Sequence, residues 1–101
     1  MAKKYSPSVP YEDSLIESLQ DPVEAAAYIE AALEEDVEVF LIALRHVAKA
    51  RGIAKVAKQA KLGRESLYKV LSEAGNPELR TVNKLLHAMG LRMSVQPAKA
   101  A

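Results

Sequence analysis

The chain has 101 residues, half of them apolar and 27% charged, with no cysteine and a net charge of +1. That length suits one modest core, and the missing cysteines exclude a disulfide framework and a thiolate metal site. The longest apolar run, Val39 to Leu44, is too short to cross a bilayer, and no apolar run follows Lys3 and Lys4 to make a secretory signal. A cytoplasmic protein is expected.

The small net charge conceals a division along the chain. Residues 1–44 carry two lysines against ten acids, a balance of −8. Residues 45–101 carry twelve lysines and arginines against Glu65, Glu73 and Glu78, a balance of +9. Such a split points to two surfaces with different partners, or to two solvated faces that attract each other.

Residues 1–11 contain Pro7 and Pro10 and little periodicity, and read as a flexible arm. A single helical domain is expected over residues 12–96, and residues 97–101 read as a tail. A first short helix, from about Glu12 to Leu19, puts Leu15, Ile16 and Leu19 on one face. Asp21-Pro22-Val23-Glu24 is a helix start: Asp21 can cap, Pro22 suits the first helical position, and Glu24 can reach back as in a capping box. This second helix should run to about Glu35, with Ala26, Ile29 and Leu33 facing inward. Asp36 should cap a third helix that runs to about Arg51. Its apolar first half predicts the most buried element, and its second half keeps Arg45, Lys49 and Arg51 outside. Gly52 can end it in the left-handed conformation.

Gly52 to Ser72 then reads as two short helices, about Ile53 to Ala60 and Arg64 to Ala74, joined by a bend at Lys61-Leu62-Gly63. Gly75-Asn76-Pro77 ends the second. A last helix, about Glu78 to Met89, turns Val82, Leu85, Leu86 and Met89 inward, and Gly90 stops it. Leu91 to Val95 alternates apolar and polar residues and reads as one short strand. The fold expected is all-α: five to six short helices around one core, a helix-turn-helix at about 53–74, and a short C-terminal strand at about 91–95.

The helix pair carries the sharpest functional reading. Val56, Ala57, Ala60, Leu62, Leu67, Val70 and Leu71 form its apolar set. A small Ala57 allows close approach where the helices cross, and Leu62 can plug the angle between them. The second helix is then rigid with one face free, as a helix-turn-helix requires. Glu65, Tyr68, Lys69 and Ser72 recur at three- and four-residue spacing on that face, and Arg64 stands at its exposed N-terminal end. Arg64 and Lys69 can donate to guanine, and Glu65 can accept from cytosine. Tyr68 can pack on sugar or a thymine methyl. Lys55, Lys58, Lys61, Ser72, Arg80 and Thr81 suit backbone phosphates, which position rather than specify. The competing reading is an ordinary solvated basic face.

The stretches "DPVEAAAYIEAALEED", "VFLIALRHVAKARG", "VAKQAKLGRESLYKVLSEAGNP" and "TVNKLLHAMGLRMSV" resemble small helix-turn-helix antitoxins of bacterial addiction modules, the HigA-like group with Cro/repressor-type DNA-binding domains. The resemblance covers about three quarters of the chain, and "ESLYKVLSEAGNP" is its most specific block. It implies a dimer on a palindromic double-stranded operator and a small basic partner toxin of the RelE/ParE superfamily. It also implies that the chain neutralises the toxin and represses the shared operon. Three positions depart from the pattern. Ile53 stands where a phosphate-binding glutamine is common, Lys61 where the bend usually has glycine, and Gly63 where serine usually caps the second helix.

Other chemistry is poorly served. His46 and His87 sit on separate helices without the further ligands that zinc needs. No glycine-rich phosphate loop and no serine with a base and orienting acid are present. Neither a metal, a cofactor nor an enzymatic activity is expected. The acidic helices from Glu12 to Glu38 are expected to dock on the toxin, with Glu30, Glu34 and Glu35 as the candidate contacts, since opposite charge speeds and selects association; the arm of residues 1–11 folding onto the toxin is the competing expectation. The short strand, or the outer side of the last helix, is the candidate dimer contact. The alternative from another class is a helical interaction module that binds no specific DNA sequence.

Overall fold

The computed structural model of the chain describes residues 11–72 and 76–99. Among them lie six helices: α1 (Tyr11–Ser18), α2 (Pro22–Glu35), α3 (Val37–Arg51), α4 (Ile53–Ala60), α5 (Arg64–Val70) and α6 (Leu79–Ala88). The expected arm falls outside the described residues except for Tyr11, which already belongs to α1. The helix expected to run to about Ala74 already ends at Val70, where Leu71 N–H turns back to the Leu67 carbonyl, and residues 73–75, the Gly75 stop among them, fall outside the described ones.

α3 is the centre, as its apolar composition demands. Phe40, Leu41, Ala43, Leu44, Val47, Ala48 and Ala50 are all buried on it, and it packs against α1, α2 and α4. α4 in turn carries α5 and α6. Leu19 after α1, Leu44 on α3, Leu67 on α5, and Leu85 and Met89 at α6 join one buried cluster. Asp36 caps α3 as expected, accepting the Glu38 backbone N–H at 2.6 Å. The Glu38 side chain first, and its backbone amide next, hold the Asp36 carboxyl below its ordinary 3.8. Arg45 and Arg51 are not outside: both are half-buried, and Arg45 Nε and Arg51 Nε and Nη2 lie out of solvent without a hydrogen-bond partner among the described residues. Their long stems run along apolar surface, which charge alone does not reveal.

α2 begins and ends where its sequence says, but its inner face is turned. Ala25, Ile29 and Ala32 are buried, whereas Ala26 is exposed and Leu33 is 52% exposed. An alanine-rich helix offers several apolar stripes, and the one with the smallest side chains lets α2 lie closest to α3. The capping box also fails to form. Asp21 makes no side-chain cap, and Glu24 Oε1 accepts from Ser18 Oγ at 3.0 Å, tying α1 to α2.

The strand expected at 91–95 is absent. Residues 91–99 have no regular structure, and Val95 is 97% exposed. Five alternating residues cannot hold an extended ladder without a partner strand. Leu91 is instead drawn into the end of α6: its N–H donates to the Leu86 carbonyl at 2.8 Å, and its half-buried side chain packs on the core.

That C-terminal device occurs twice. At α6, Gly90 has φ of 78° and donates to the His87 carbonyl. At α4, Lys61 has φ of 61° and donates to the Lys58 carbonyl, while Leu62 N–H reaches the Ala57 carbonyl at 2.8 Å. Both are the paired-bond helix ending that normally takes glycine, because a Cβ is strained in the left-handed region. Lys61 therefore carries a local cost that Gly90 avoids. Lys61→Gly is expected to raise stability by about 1 kcal/mol, read from the midpoint of a denaturant melt. An unchanged or lower midpoint contradicts the strain argument.

Candidate nucleic-acid interface

α5 has only seven residues, and its placement rests on few contacts. Leu67 is fully buried within it, Leu71 follows at 1% exposure, and Val70 is half-buried. These three turn one side of the helix to α4 and the core. The bend before it is fixed by the α4 ending just described and by half-buried Leu62. Gly63 takes the extended conformation of a helix cap but supplies no side-chain bond. The nearest atom to a Cβ built there is Ser66 Oγ at 4.0 Å, so the position has room for the serine the resemblance leads one to expect.

With the inner side fixed, Arg64, Glu65, Tyr68 and Lys69 are all exposed on α5. They place two cations, one carboxylate and one phenol on less than two turns of helix. Tyr68 is 53% exposed, a large ring left in water beside charges. Such a set can donate to, accept from and pack against base edges. Ser72 is half-buried, and its hydroxyl donates to the Lys69 carbonyl at 2.9 Å, so it must turn to reach a phosphate. Lys55, Lys58, Lys61 and Arg80 are exposed, and Thr81 is half-buried in the first turn of α6.

The packing of α4 on α6 adds residues that the sequence reading left out. Arg51, Lys55, Lys61, Lys84 and His87 line a cleft of about 650 Å³, and no carboxylate joins them among the described residues. Its chemistry suits phosphate oxygens. Lys84 and His87 follow Arg80 at four- and seven-residue spacing, so a shared helical face was the signal available in the sequence. Their meeting with Arg51 and Lys55 depends on tertiary packing.

The acidic candidates lie on another helix. Glu30, Glu34 and Glu35 are all exposed on α2. His46 is engaged inside the fold: its Nδ1 shares a 2.6 Å hydrogen bond with the Tyr28 hydroxyl, joining α2 to α3. His87 is exposed. Among the described residues, no three His, Asp or Glu side chains are grouped to hold a metal ion, and no helix is long and apolar enough to cross a membrane.

A family model described as "Probable addiction module antidote protein" matches residues 12–97, which takes in all six helices but the first residue of α1. A protein of Haemophilus influenzae, described only as uncharacterized, is 40% identical over 86 residues, covering 84% of this chain and 89% of its own length. No solved structure matches the chain.

Proposed function

Because the chain belongs to the family of probable addiction module antidote proteins, we propose that it is an antitoxin which also represses its own operon by binding DNA. Family membership implies the antidote role and a toxin partner. DNA repression is the further step, and one observation carries it: the exposed set Arg64, Glu65, Tyr68 and Lys69 on a short helix whose other side is anchored by Leu67 and Leu71. In this reading α4 and α5 are a helix-turn-helix of the HigA-like, Cro/repressor type, and α5 enters the major groove. Arg64 and Lys69 read guanine, Glu65 reads cytosine, and Tyr68 packs beside them. Lys55, Lys58, Lys61, Arg80 and Thr81 hold phosphates, with Ser72 joining if its hydroxyl turns. Ile53, half-buried, makes no phosphate contact of the kind a glutamine would make.

The chain acts as a homodimer, so that two α5 helices meet successive half-sites of a palindrome. Its toxin is of the RelE/ParE type, small and basic, and Glu30, Glu34 and Glu35 contribute to holding it. The chain's work is binding; it performs no catalysis and uses no cofactor.

The test is sequence preference. Binding to the promoter duplex of the chain's own operon should exceed binding to random duplex by at least ~10³-fold at a fixed salt concentration. Equal affinity for both supports the other reading, a basic interaction module without sequence-specific DNA binding.

A further inference from the structure

α2 carries more apolar surface than its packing uses. Its sequence is PVEAAAYIEAALEE, yet only Ala25, Ile29 and Ala32 are buried on it. It packs on α3 and leaves most of its surface to solvent. Val23 is 75% exposed and Leu33 52% exposed, with Ala26 and Glu30 exposed between them. Residues 23, 26, 30 and 33 are spaced by three, four and three, so they form one straight stripe along the helix. Ala27 and Ala31 widen it, and Val37, 61% exposed, stands just past its C-terminal end. A helix whose own core needs only three small or medium side chains has no internal reason to carry valine and leucine on its outer face.

We propose that this stripe docks on a surface of the partner toxin that joins apolar pockets to cations, Val23 and Leu33 filling the pockets and Glu30 and Glu34 pairing with the cations between and beside them. The inference rests on the antidote reading above and names the surface that performs it. Charge decides between occupants. Glu30 lies within the stripe, Glu24, Glu34, Glu35, Asp36 and Glu38 are exposed close by along the chain, and no lysine or arginine occurs between Lys4 and Arg45. A second copy placed across a two-fold axis would set this acidic surface against itself, because an isologous contact pairs identical patches. A cationic partner gains from the same charges, and an amphipathic helix in a groove uses this three-and-four spacing of anchors. The carboxylates then govern rate and selectivity, and the two branched side chains govern residence.

The experiment uses the full chain and, as probe, the purified protein encoded by the neighbouring reading frame of its operon. Calorimetry compares the native chain with Leu33→Lys/Glu30→Lys and with Lys69→Ala. Both altered α2 positions are exposed, and circular dichroism and melting confirm that the variant is folded. The native chain and Lys69→Ala should bind alike, whereas the α2 variant should bind at least ~100-fold more weakly and keep its operator affinity. Unchanged affinity of the α2 variant overturns this docking face while leaving the antidote reading in place. No binding by the native chain overturns the antidote reading itself, and the docking face with it. A change in the free chain's own oligomeric state, caused by Leu33→Lys/Glu30→Lys in sedimentation, assigns the stripe to a second copy and also overturns the proposal.

Discussion

Leu67→Ala should destabilise the chain by about 2–5 kcal/mol, the range for emptying a leucine site that cannot collapse. Leu67 is 0% exposed and is the buried residue within α5. A seven-residue helix does not persist on its own propensity, because nucleation costs more than so few bonds return. Its cap, Gly63, contributes no side-chain bond to offset the loss. The damage should therefore concentrate on α5, detaching the face that carries Arg64, Glu65, Tyr68 and Lys69. A domain of this size has about 5–15 kcal/mol in total, so the variant should still fold in the cold but melt ~10 °C or more earlier. Below that melt, operator binding should fall with the loss of α5, while toxin binding through α2 should persist, since α2 is seated on α3. A melting curve displaced by less than about 1 kcal/mol means that α5 is not anchored through this side chain. Equal loss of both binding activities means that the two surfaces are not separable.

Much of the fold was legible because the sequence marks its helix ends chemically. Asp21-Pro22 opens α2, Asp36 caps α3, Gly52 closes it, and Gly90 closes α6. The inner faces of α5 and α6 were legible too, because each carries one unambiguous stripe: Leu67 and Leu71, and Val82, Leu85, Leu86 and Met89, are all buried. The face of α2 was not. Alanines at 25, 26, 27, 31 and 32 support several stripes, and only the fit against α3 selects Ala25, Ile29 and Ala32. The strand failed for a related reason: alternation over Leu91 to Val95 records side-chain polarity but supplies no partner for the backbone. At the candidate site, the exposed set on α5 could be read by elimination once its apolar side was known. The cleft could not, since Arg51, Lys55, Lys84 and His87 converge only when α4 packs on α6.

Lys69→Ala and Lys58→Ala should weaken operator binding in different ways, although each removes one exposed cation. Lys69 shares the outer face of α5 with Arg64, Glu65 and Tyr68, where the proposed acceptor is a base edge. Its backbone carbonyl is held by the Ser72 hydroxyl, which fixes the end of the helix from which it projects. Removing it should cost about 1–3 kcal/mol on the native operator and relax the preference at a single base pair. Binding to random duplex, which never offered that base edge reliably, should change little. Lys58 lies exposed on α4, where the proposed contact is the phosphate backbone alone. Its removal should weaken native and random duplexes by similar factors and lower the slope of log affinity against log salt by about 1. Titrations of both variants on both duplexes, at three salt concentrations, separate the two roles. If Lys69→Ala weakens native and random DNA equally, with the salt slope of a phosphate contact, α5 does not read sequence from this face. The basic half of the chain would then bind nucleic acid by charge alone.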